Sequence, residues 1–146
     1  MSDETMMRIE RVKEVATLAG LKGEVNPERR HFQMLFLLPG DRRQTVYVRD
    51  TSAKGREVVT FFSPCLVVKK GLVAGLSKEM AVDLLKANEK LHFARYGLWE
   101  FEKEFTVVAS FDCLLGTLDP DECHKAAWAV AFAADQYEHK LGEDKF

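Results

Sequence analysis

Between His31 and Phe62 the chain abandons helical spacing for alternation, and it does so in three short segments joined by connections that only hairpins can use. His31 to Leu38 is rich in Phe, Leu and Met and ends at Pro39-Gly40-Asp41, a turn signal. Gln44 to Arg49 then sets Val46 and Val48 on one side against Thr45, Tyr47 and Arg49 on the other. Ser52-Ala53-Lys54-Gly55 separates this strand from a third, Arg56 to Phe62, which Ser63-Pro64 interrupts because proline cannot donate to a ladder. Parallel strands would need crossovers of a dozen or more residues, so an antiparallel meander is expected.

Helical spacing governs the flanks. Met6, Ile9, Val12, Ala16 and Ala19 predict a helix from about Asp3 to Leu21, stopped by Gly20 and Gly23, with Pro27 opening the way into the sheet. Ser77 is a candidate N-cap for a second helix, whose stripe is Met80, Ala81, Leu84, Leu85, Asn88 and Leu91. Strands over about His92 to Glu102 and Phe105 to Leu114 follow. The last helix has the clearest start: Asp119 caps, Pro120 takes the first helical position, and Glu122 sits where a capping-box carboxylate belongs. It runs to about Leu141 on a face of Cys123, Ala126, Ala127, Val130, Ala131, Ala134 and Leu141. The chain therefore predicts one α+β domain over residues 1–146. Three helices accompany a largely antiparallel five-stranded sheet, in the order α-β-β-β-α-β-β-α.

The strands carry an anomaly. Alternation turns Phe32, Met34, Phe36, Val46, Val48, Val58, Phe62, Trp99, Phe101, Val107 and Phe111 toward the helices. The opposite positions hold Val108 and the candidate partner-binding residues Leu35, Leu37, Tyr47, Val59, Phe61, Tyr96 and Leu98. A sheet with one solvated face reads apolar-in and polar-out, and this one does not. A helix of the same chain, a second subunit or a client polypeptide must cover part of the second face.

Charge and composition narrow the partners. The net charge is −2, with 13 Lys and Arg against 9 Asp and Glu in residues 1–75 and 8 against 14 in residues 76–146. Basic pairs near the turns read as solvated guards of strand ends, and an acidic total argues against nucleic acid. The longest apolar stretch, Ala126 to Ala134, falls far short of the ~20 residues of a membrane span. An acidic N-terminus without a signal pattern, and three widely spaced cysteines (Cys65, Cys113, Cys123), predict a cytoplasmic protein without disulfides.

Catalytic arrangements are scarce. His31, His92, His124 and His139 show no metal-ligand spacing with the cysteines, so no metal and no cofactor is expected. Ser63, Cys65 and Ser110 lack an oriented base. Gly71 to Gly75 lacks the second half of a phosphate loop and reads as a connection. Glu100, Glu102, Glu104 and Asp112 could form an acid–base pair but read as a hairpin rim, and Asp112 as an outward or hydrogen-bonded strand position. Asn88 and Asp135 read as anchors of helices to neighbouring strands or loops. No catalytic residue is assigned.

Two stretches carry a family likeness. Leu84-Leu85-Lys86-Ala87-Asn88 followed by His92-Phe93-Ala94-Arg95-Tyr96-Gly97-Leu98 resembles a segment of the bacterial YbjN-type proteins, which share a fold with the class I type III secretion chaperones. Leu118-Asp119-Pro120-Asp121-Glu122, with the helix reaching Ala133-Ala134-Asp135, resembles their C-terminal block, and Ser63-Pro64 also matches. The resemblance spans roughly residues 30–141. It implies a secretion-chaperone-like fold, a homodimer and a non-enzymatic role. Secretion chaperones wrap an extended segment of another polypeptide, whereas YbjN-type proteins are described as regulators. Three functions stay open: a chaperone-like or regulatory protein-binding module, a homodimer domain whose apolar face serves only self-association, and a small-molecule binder or enzyme using the acidic hairpin.

Overall fold

The structure, a computed structural model, describes residues 3–71, 76–141 and 146. Helix α1 (Glu4–Leu18) precedes strands β1 (Gly23–Asn26), β2 (His31–Leu38), β3 (Arg42–Asp50) and β4 (Val58–Lys69). Helix α2 (Lys78–Asn88), strands β5 (Arg95–Glu100) and β6 (Glu104–Leu114), a 3₁₀ turn (Leu115–Thr117) and helix α3 (Pro120–Lys140) complete the chain. The strands form one antiparallel sheet in the order β1-β2-β3-β4-β6-β5. The fold is α+β with three helices, as the periodicities predict. Part of the connection read at Gly71 to Gly75 lies outside the described residues.

Local chemistry sets the helix ends. The Asp3 carboxylate accepts from the Met6 N–H and starts α1. At its far end Gly20 adopts φ 79°, the Gly20 N–H donates to Thr17 O, and the Leu21 N–H donates to Ala16 O. This is a Schellman closure, which glycine enters without a Cβ penalty. The Asp119 carboxylate accepts from the Glu122 N–H at 2.7 Å behind Pro120, as the sequence predicts for α3.

The core lies between α1, α3 and one sheet face. Ile9, Val12 and Val15 of α1 meet Phe32, Met34, Val46 and Val48. Along α3 the buried positions Ala126, Ala127, Ala131 and Ala134 are alanines. Their small side chains let the helix lie close over Val59, Phe61 and Ala109, which suits the dense packing of protein interiors. Leu141, expected on this face, is 37% exposed. Arg42 ties α3 to β3: its Nε donates to Asp135 at 2.8 Å, and its guanidinium lies 3.8 Å from the fully buried Glu138.

The sheet has six strands, not five. The unforeseen β1 pairs with β2, and Gly23 serves that pairing rather than ending α1. A Cβ at Gly23 would lie 2.5 Å from Gln33 O and from the Phe32 ring. Nor does Pro64 end the third predicted strand. The β3–β4 ladder stops at Tyr47↔Phe62, while β4 continues along β6 to Lys69 with a bulge between Pro64 and Leu66. Where β3 diverges, side chains replace the ladder. Gln44 Nε2 donates to Ser63 Oγ (2.7 Å) and Pro64 O (3.0 Å), and Ser63 Oγ donates to Thr45 O (2.5 Å). Pro64 thus places its missing N–H toward a neighbour that has already left.

Candidate binding face of the sheet

Residues directly opposite one another on neighbouring strands share a face. Val48, Phe61 and Phe111 stand in one such row under the helices, and Tyr47, Phe62 and Ser110 stand in the row on the other side. That outer face carries no helix of the described residues. Leu35 (58% exposed), Leu37 (73%) and half-buried Tyr47 lie on it, as predicted.

The other four candidates do not. Val59 and Phe61 are fully buried beneath the helices. Tyr96 is buried too, its hydroxyl donating to Ala133 O of α3 at 2.6 Å, and burial pushes its phenol well above its usual pKa. Leu98 stands opposite Val107 and therefore turns to the helix side, although it is partly exposed near the end of β5. Val58, Phe62 and Trp99, predicted to face the helices, turn outward instead. Phe101 lies just past β5 and is half exposed. A one-residue slip accounts for all of this, because strand side chains alternate with period two. Val58-Val59, Phe61-Phe62 and Leu98-Trp99 are apolar pairs, and their parity is settled by pairing with β3 and β6 rather than by their own pattern.

The slip exposes a row of rings that the sequence reading divided between two faces. His31 and Tyr47 lie 4.9 Å apart between ring centres, Tyr47 and Phe62 5.3 Å, and Phe62 and Trp99 4.7 Å. Phe62 of β4 and Trp99 of β5 thus meet across β6. The Arg49 guanidinium lies over Trp99 at 4.3 Å and Phe62 at 5.5 Å, within cation–π range. Around this row is an open recess of about 630 Å³, whose rim includes Arg29, Gln33, Pro64, Phe101 and Phe146.

Of the remaining polar candidates, Asp112, Glu100 and Asn88 have structural partners, whereas Glu102 and Glu104 have no side-chain hydrogen bond or ion pair among the described residues. Asp112 faces outward and accepts from Thr60 at 2.7 Å, and Glu100 pairs with Lys70 at 2.7 Å. Asn88 grips the free edge of β5: its Oδ1 accepts from the Tyr96 N–H (2.8 Å) and its Nδ2 donates to Tyr96 O (3.1 Å). Among the described residues no group of three or more His, Cys, Asp or Glu could hold a metal ion. Burial pushes the thiols of Cys65, Cys113 and Cys123 up to about 12, so they are protonated at neutral pH. No helix among the described residues is long and apolar enough to cross a membrane. Neither a protein-family model nor a curated protein matches the chain.

Proposed function

We propose that the chain is a non-enzymatic, cytoplasmic protein-binding module, chaperone-like or regulatory, which binds a polypeptide on the outer face of its sheet. The observation that carries this reading is the row Leu35, Leu37, Tyr47, Phe62 and Trp99 on a face that no helix of the described residues covers. Removing such side chains from water is worth roughly 25 cal/mol per Å², which a solvated face forgoes. A partner laid across the strands would recover it, and the resemblance to YbjN-type proteins and secretion chaperones points the same way. The same patch would also serve a two-fold dimer, since Leu35 and Leu37 of one copy could pack against those of another.

The test is selection of extended peptides from a display library on the protein, followed by titration of the selected peptides against Leu35→Glu/Leu37→Glu. Binding lost in that variant, with its circular dichroism and melting unchanged, is the expected result. Selected peptides that bind the variant as well as the wild type would place the binding surface elsewhere and overturn the proposal.

A further inference from the structure

Resting on the polypeptide-binding reading, we propose that the recess beside Arg49 takes an extended peptide segment presenting a carboxylate side chain next to apolar ones. The guanidinium carbon of exposed Arg49 lies over Trp99 at 4.3 Å and over Phe62 at 5.5 Å, which sets a cation beside the rings of the recess. A guanidinium presents a planar fork of N–H donors that matches a carboxylate bidentately. Among the described residues neither Arg49 nor Arg29 has a carboxylate within ion-pairing distance. No carboxylate side chain lines the recess, and three acids of the neighbouring strands are engaged elsewhere: Asp112 by Thr60, Glu100 by Lys70 and Glu24 by Gln33. The recess therefore offers, beside an apolar floor, two cations that have no ion pair among the described residues, and an acidic, apolar segment complements both.

Single-stranded nucleic acid also combines negative charge with ring stacking, but it fits less well. Stacked bases need free ring faces. Here Tyr47 and Phe62 are already stacked at an interplanar angle of 26°, and Arg49 covers Phe62 and Trp99.

The two tryptophans allow a direct readout. In Trp128→Phe, Trp99 alone reports on the recess. Three probes would be titrated at low salt: a dodecapeptide alternating Glu with Leu and Phe, its counterpart with Lys for Glu, and an oligo-dT of comparable length. The expected result is a Trp99 change with the acidic peptide, binding it about tenfold more tightly than the basic one. That preference should fall as salt rises and be lost in Arg49→Met, which keeps the apolar contact. Equal binding of both peptides would overturn the acidic preference and leave peptide binding standing, whereas no binding of either would count against both. Preferential binding of oligo-dT, or a dimer in light scattering that Arg49→Met dissociates, would equally overturn the proposal.

Discussion

Replacing Asn88 by alanine removes an edge clamp from β5, and its cost can be worked from two bonds. The Asn88 amide meets Tyr96 as a neighbouring strand would, accepting at 2.8 Å and donating at 3.1 Å. A net contribution of about 0.5–1.5 kcal/mol per hydrogen bond puts the loss in Asn88→Ala at about 1–3 kcal/mol. For a chain of this length that corresponds to a fall in Tm on the order of 3–10 °C. Urea titration should show a lower midpoint with an unchanged slope, because the clamp does not alter the surface exposed on unfolding. Asn88→Asp sharpens the test. It keeps the acceptor for the Tyr96 N–H but sets a carboxylate oxygen against Tyr96 O. At neutral pH it should therefore be at least as destabilised as the alanine variant. The repulsion raises the folded carboxyl pKa, so stability should recover as pH falls through that raised value toward the unfolded value of about 3.9. Faster exchange of the Tyr96 amide hydrogen should accompany both. A stability within about 0.3 kcal/mol of wild type, with Tyr96 exchange unchanged, would refute the clamp, since that lies below the least a net bond contributes.

Three further outcomes follow from the packing. Gly23→Ala should cost about 1–3 kcal/mol and loosen β1 from β2, because the new methyl would overlap Gln33 O and the Phe32 ring; retained protection of the β1 amides would contradict this. Burial raises the Asp50 carboxyl, but hydrogen bonds from Ser52, Arg8 and Thr5 outweigh it and hold its pKa below the usual value. Its stabilisation is then full above the unfolded pKa of about 3.9 and lost as pH falls through the lower folded value. Asp50→Asn should accordingly be less stable than wild type at pH 7, with the gap closing in acid, and a gap independent of pH would refute the assignment. Cys65, Cys113 and Cys123 should react with a thiol reagent no faster than the chain opens, and rapid native-state labelling would contradict their burial.

What was legible in the sequence was whatever local chemistry decides. Asp119-Pro120 and Ser77 cap their helices as read, β2 keeps its predicted bounds, and Asn88 and Asp135 anchor helices to strands. The losses came where a long-range neighbour decides. Gly23 reads as a helix stop, yet its lack of a Cβ admits β2. Pro64 reads as a strand end, yet β3 has diverged there, so its absent N–H costs no ladder bond. Gly23-Glu24-Val25-Asn26 is too short to show alternation. The parity of β4 and β5 depends on Phe61 standing opposite Val48 and Tyr96 opposite Ala109, and adjacent apolar pairs conceal it. That slip removed Val59, Phe61 and Tyr96 from the outer face and brought in Phe62 and Trp99. Arg49, on the same side as Tyr47 in the alternation of β3, was the visible signal of a cation on that face.

The outer sheet face as the polypeptide-binding surface is tested most directly by mapping amide and side-chain NMR shifts as a library-selected peptide is added. Perturbations should concentrate on Leu35, Leu37, Tyr47, Arg49, Phe62 and Trp99, with the outward faces of α1 and α3 unmoved. Perturbations confined to the helices, with those six residues silent, would contradict it.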